Sequence, residues 1–143
     1  MAESSRRPPR WLKHANRVNL ALLRRGIGPS SQHVLSLPGR TTGLRRTTPV
    51  AVITIDGERY IVGGYETSDW VKNARSAGWA LIGRGTTNER VTLTEIPPDH
   101  SVPILREFAR SVRGGRSFLT VRADATDAEF ANASPHHPVF RLS

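Results

Sequence analysis

The chain has 143 residues, 37% hydrophobic and 23% charged, the composition expected of one globular domain with a sizeable core. It contains no cysteine, which excludes disulfides, a thiolate nucleophile and cysteine metal sites. The net charge is +9, and residues 1–25 hold seven Arg and Lys against one Glu. A second basic cluster is Arg40, Arg45 and Arg46. Basic patches attract phosphates on nucleic acid, lipid headgroups or cofactors, and charge alone does not choose among them. No run approaches the roughly 20 apolar residues of a membrane span. The start lacks the apolar core of a signal peptide, so a cytoplasmic location is the default expectation.

In chain order, residues 1–8 read as a polar start. A helix is expected over 9–25, with Pro9 in its first turn and Gly26 at its end. Trp11, Ala15, Val18 and Leu22 share one face of it, with Arg10, Lys13, Arg17 and Arg24 largely elsewhere. Such a basic amphipathic helix either docks on the domain or lies on the inner face of a membrane. Residues 1–26 are thus set apart from one domain over 27–143.

A first strand is expected over His33–Leu37. Two β-rich runs over 49–63 flank Asp56-Gly57, the dipeptide of a type I′ hairpin. Ser68 is placed to cap a helix over 69–77 that Gly78 closes. Strands over Trp79–Ile82 and Arg90–Ile96 follow, joined by a polar turn over 83–88. Asp99 is placed to cap a helix over 100–113 with Val102, Leu105, Phe108, Ala109 and Val112 on its apolar face. An extended piece over 117–121, a helical turn over 126–133 and a closing strand over Pro138–Leu142 complete the chain. The strands lie too close together for regular crossover helices, so the fold class is α+β, an antiparallel sheet closing into a small barrel.

Chemistry concentrates in Pro38-Gly-Arg-Thr-Thr-Gly-Leu-Arg-Arg-Thr-Thr-Pro49. Two glycines, four threonines and three arginines supply close backbone approach, hydroxyl donors and guanidinium forks suited to an anion. The spacing matches neither a Walker loop nor a GxGxxG fingerprint. On residue chemistry alone the stretch is either a phosphate or carboxylate binder or a solvated basic turn.

The order Gly39-Arg40-Thr41-Thr42-Gly43, Arg46-Thr47-Thr48-Pro49, the Asp56-Gly57 hairpin and Trp70-Val71-Lys72-Asn73 resembles the deazaflavin-dependent nitroreductase family of actinobacteria. Pro9–Lys13 and Pro138–Leu142 resemble the ends of one branch of it. The resemblance implies a split β-barrel of the flavin-reductase and pyridoxamine-phosphate-oxidase kind, often a homodimer, binding coenzyme F420 in an extended cleft. It implies that Arg40, Thr41, Thr42, Arg45 and Arg46 hold the anionic tail. Thr47 and Thr48 would lie beside the ring, with Gly64, Tyr65 and Trp70 on the opposite wall. It further implies hydride transfer between reduced deazaflavin and a small or lipid-like acceptor; a proton donor would assist that transfer, and Tyr65, His136 and His137 are the candidates, with Tyr65 first. Nitroreductase relatives often place tyrosines near the C-terminus, whereas the tyrosines here are Tyr60 and Tyr65, so quinones and enones stand beside nitro compounds as substrates.

His136-His137 reads as a turn before the last strand, since no third ligand stands at metal spacing. Trp79 reads as sheet packing and Tyr60 as structural, while Trp70 is open between ring wall and helix packing. Rival classes are a barrel binding flavin mononucleotide (FMN), a ligand carrier without turnover, and a basic nucleic-acid-binding protein. The last lacks a helix-turn-helix, zinc-finger or RNP pattern.

Overall fold

The computed structural model describes residues 11, 17, 18, 20–22, 25, 32–112 and 119–143. Most of the expected N-terminal helix therefore lies outside the described residues. Residues 17, 18 and 20–22 are helical, and Trp11, Val18 and Leu22 are 66%, 61% and 39% exposed.

Six antiparallel strands close a barrel in the order β1-β2-β3-β6-β5-β4. They are β1 (Gln32–Pro38), β2 (Arg45–Ile55), β3 (Glu58–Val62), β4 (Trp79–Arg84), β5 (Thr87–Ile96) and β6 (Val139–Leu142). Helices α1 (Asp69–Ala77), α2 (Val102–Ser111) and α3 (Asp127–Ala133) interrupt them. Apolar alternation sorts the strand side chains into two cores. Leu35, Leu37, Val50, Ile61, Ala80, Ile82, Val91, Leu93, Phe140 and Leu142 fill the barrel. Ile53, Val62 and Val139 face outward and pack on Leu105, Phe108 and Ala109 of α2 and Phe130 of α3. The apolar stripe of 100–113 thus buries Leu105, Phe108, Ala109 and Val112, as its helical spacing requires.

Two long strands divide the barrel. β2 pairs with β1 over Arg45–Ala51 and with β3 over Val52–Ile55. β5 likewise pairs with β4 over Thr87–Thr92 and with β6 over Leu93–Ile96. Each therefore serves one half-sheet with its first half and the other with its second. The first half of β2 keeps one backbone edge with no strand partner among the described residues, beyond the point where β3 ends.

Connections are sorted by end. Both tight hairpin turns lie at one end, and the links 39–44, 63–78 and 97–138 lie at the other. Asp56 (φ 51°) and Gly57 (φ 82°) adopt the left-handed backbone that a type I′ turn needs. Near the same end Arg59 of β3 grips Glu89 of β5 through both guanidinium arms, at 3.1 and 2.8 Å. Those hydrogen bonds hold the Glu89 carboxyl below the usual carboxylate range. Their stabilisation is present above that range and lost as pH falls through the lowered value.

Four local expectations change. The 83–88 segment is not a long turn: Arg84 pairs with Thr87, leaving Gly85-Thr86 as a two-residue turn and lengthening both strands. Asp99 does not cap α2, because Pro98–His100 forms its own 3-10 turn and Ser101 takes the cap position. Ser68 holds the N-cap position of α1 without a side-chain cap bond. Residues 119–121 form bends instead of a strand, and 117 and 118 lie outside the described residues. Thr126 does cap α3, accepting from the Glu129 N–H at 3.2 Å.

Candidate cofactor-binding site

The two sequence stretches that drew attention meet at the link-bearing end of the barrel. The 39–44 loop closes on itself, with the Gly39 N–H on the Leu44 carbonyl at 2.8 Å and the Gly43 N–H on the Gly39 carbonyl at 2.9 Å. The Leu44 N–H donates to Thr42 Oγ1 at 3.2 Å. Arg40 at the loop's root reaches α1, which crosses the barrel mouth. Asn73 Oδ1 accepts from the Arg40 backbone N–H at 3.0 Å and from its Nη1 at 2.9 Å. Asp69, one turn earlier, accepts from Nη2 at 3.3 Å. That outer ion pair is largely exposed and contributes roughly 0–1 kcal/mol. The bonds to buried Asn73 are the stronger tie, since hydrogen bonds to charged groups are worth about 1.5–3 kcal/mol.

The β2 residues do not share one face. Strand alternation groups Arg46 and Thr48 with inward-facing Val50, and Arg45 and Thr47 with Ala51 on the outside. Arg45 accordingly donates to Ser36 Oγ of β1 at 3.2 Å. Arg46 and Arg45 remain exposed, and Thr47 and Thr48 are half-buried. A Cβ built on Gly39 would stand 3.6 Å from Arg46 Cγ, so the Arg46 stem runs along the root of the loop.

Gly64, Tyr65 and Trp70 come from the next link at the same end. Gly63 explains the tight departure from β3: its N–H bonds the Pro138 carbonyl at 2.8 Å. A Cβ there would stand 3.1 Å from Val71 and 3.3 Å from Pro138. Gly64 and Tyr65 are half-buried. Trp70 packs on Phe140 with ring centroids 5.8 Å apart and lies half-buried against the barrel core.

Sequence reasoning named Asn73, His136 and His137 but not the contacts that they make. Asn73 stood in a quoted motif, but nothing local showed that it binds a residue 33 positions away. His137 is 1% exposed and joins two distant segments. The Gly63 carbonyl 3.1 Å from Nδ1 can only accept, so Nδ1 carries the proton. The Thr120 N–H 3.1 Å from Nε2 can only donate, so Nε2 accepts. The ring is therefore neutral and its nitrogens are engaged in structure. His136 meets Glu66, with Nδ1 3.2 Å from Oε1. Among the described residues no group of three or more His, Asp or Glu is placed to hold a metal. Trp79 lies under Arg90, 4.3 Å from its guanidinium carbon, and Tyr60 packs against the outer core.

Comparison with known proteins speaks at the level of fold. No protein-family model and no curated protein sequence matches the chain. A solved structure described as a domain-swapped dimer is similar at 14% identity, covering 93% of this chain and 97% of that one, with a TM-score of 0.58. A pyridoxamine 5′-phosphate oxidase-related, FMN-binding protein from Nostoc punctiforme is 11% identical, covering 96% and 82%, with a TM-score of 0.55. The chain has the split β-barrel fold. An F420-H2 dependent reductase is 18% identical over 80% of this chain and 95% of that one, but its TM-score of 0.49 is too low to argue from. The basic 39–44 loop leads into the first half of β2, whose second edge has no strand partner among the described residues.

Proposed function

We propose that the protein is a coenzyme F420-dependent oxidoreductase that passes a hydride between the deazaflavin and a small or lipid-like acceptor such as a quinone, enone or nitro compound. One observation carries this reading. The GRTTG loop and the Trp-x-x-Asn helix, separate in sequence, are tied through Arg40 and Asn73 beside the unpaired edge of β2. The residues present fit such a group. Arg45, Arg46, Thr41 and Thr42 offer exposed cationic and hydroxyl donors to an anionic tail, with Arg40 at the root of the same loop. The free edge of β2 at Thr47 and Thr48 offers backbone donors and acceptors to a planar heterocycle, and Gly64, Tyr65 and Trp70 supply the facing wall.

When bound, the reduced deazaflavin supplies the hydride, so the protein needs no nucleophile of its own. Its residues orient the partners and exclude water. Tyr65 is the candidate proton donor, since it is half-buried on the link that also carries Gly64, at the same end as the basic loop. Tyr65→Phe removes only the hydroxyl, and loss of a general acid typically costs about 10²–10⁴-fold. A fall of tenfold or more in reoxidation of reduced F420 by accepted quinones or enones is expected, with cofactor affinity unchanged. An unaltered rate on every accepted substrate makes Tyr65 a wall of the site only.

FMN is the second reading, favoured by the FMN-binding protein from Nostoc that shares the fold. A homodimer is part of the proposal, in line with the domain-swapped dimer among similar structures. No helix among the described residues is long and apolar enough to cross a membrane. Peripheral contact through residues 9–25 is proposed from the basic start and the exposed Trp11, Val18 and Leu22. Deleting residues 1–25 removes six net positive charges at about 1 kcal/mol each near an anionic surface. Binding to anionic vesicles in a sedimentation assay should then be lost while the barrel stays folded. Unchanged binding, or an insoluble truncated chain, contradicts a membrane role for this segment.

A further inference from the structure

We infer that Asn73 is a positioning residue: it sets the affinity of the 39–44 loop for an anionic ligand without touching that ligand. The inference rests on reading this loop as the cofactor-tail site. Asn73 is a polar side chain only 4% exposed, and its Oδ1 is committed to Arg40. It accepts from the Arg40 backbone N–H at 3.0 Å and from Nη1 at 2.9 Å. One acceptor holding both the main chain and the side chain of one residue fixes where the loop leaves β1 and where its first cation lies. Asp69, four residues earlier and therefore on the same helix face, holds the other arm of the guanidinium at 3.3 Å.

Among the described residues the remaining bonds of the loop are internal: Gly39 to Leu44, Gly43 to Gly39, and Leu44 to Thr42. Internal bonds shape a turn but do not aim it. Aim comes from an external anchor, and α1 is itself held against the barrel by Val71 and Ala74, which are 0% and 1% exposed. Two of the three guanidinium nitrogens of Arg40 are thus turned onto the helix. The exposed loop residues Thr41 and Thr42, and Arg45 and Arg46 beyond them, are presented from a fixed base. Pre-organising a binding loop raises affinity by removing the cost of ordering it on contact. A residue that merely fills space under α1 would change stability and leave ligand discrimination untouched.

The test compares coenzyme F420 with its ring-and-ribityl portion, which lacks the phosphate and glutamate tail. Asn73→Leu keeps the volume and removes the acceptor, and Asn73→Asp keeps an acceptor. F420 binding, followed by fluorescence, should weaken about tenfold or more in Asn73→Leu and return to within about threefold of the parent in Asn73→Asp. Binding of the tail-less portion should stay at the parent value in both, and thermal melts establish the folded fraction. Equal weakening of both ligands, or unchanged F420 binding in Asn73→Leu, overturns the inference. If Asn73→Leu does not fold, Asn73→Ala, which removes the acceptor without adding bulk, carries the same test. If the parent binds neither deazaflavin, the cofactor reading itself fails. Amide shifts of Thr41 and Thr42 on titration with inorganic pyrophosphate then decide. Weaker pyrophosphate binding in the variant upholds positioning, and equal binding overturns it.

Discussion

Phe140→Ala is expected to destabilise the protein by about 3–5 kcal/mol, the range for truncating a fully buried phenylalanine. Phe140 is 1% exposed inside the barrel, on the short strand that pairs with both β3 and β5. Its ring also carries Trp70, so truncation opens a cavity and removes the contact that seats α1 over the barrel mouth. Urea unfolding at constant m-value reports the loss. A change below about 1 kcal/mol contradicts a packed barrel interior at this position.

His137→Ala is expected to cost about 1–3 kcal/mol, the penalty for leaving the buried Gly63 carbonyl without its partner. The Thr120 N–H and hydroxyl lose the same ring, but Thr120 is exposed and water replaces it there. This substitution has a second, local effect. Gly63 precedes Gly64 and Tyr65, so releasing its carbonyl loosens the wall opposite β2. Amide exchange of residues 63–66 should rise by more than that of α3, and chemical denaturation should show the global loss. Uniform exchange across the chain, with stability near the parent, contradicts the linking role of the ring.

The fold was legible where local rules act alone. Asp56-Gly57 announced its hairpin because few dipeptides tolerate left-handed backbone at both turn positions. The 69–77 helix lay between a capping serine position and Gly78, and its bounds agree with α1. Reading failed where tertiary pairing decides. Gly83 to Asn88 looks like loop chemistry, yet pairing along β4 and β5 draws Gly83, Arg84, Thr87 and Asn88 into the ladder. Asp99 has the chemistry of a cap, but two preceding prolines favour a separate 3-10 turn and push the helix start to Val102. For the site, composition left Pro38–Pro49 open between an anion binder and a solvated basic turn, and the structure places its 39–44 link at the same end as the 63–78 link with Gly64, Tyr65 and Trp70. The division of β2 into outward Arg45 and inward Arg46 follows from its period of two once the register is known. The contacts of Arg40 with Asn73 and of His137 with Gly63 span 33 and 74 positions, and no local pattern encodes them.

The loop and the free edge of β2 are proposed to hold a deazaflavin with an anionic tail. The most direct measurement is a fluorescence titration of the purified protein with coenzyme F420 and, separately, with FMN, for the parent and for Arg46→Ala. Arg46 is exposed at the loop's root, and a charge-assisted contact from it is worth about 1.5–3 kcal/mol. Tighter binding of F420 than of FMN by the parent is expected, with at least about tenfold weaker F420 binding by Arg46→Ala. Equal affinity for the two cofactors, or F420 binding that ignores the loss of Arg46, would contradict the proposal.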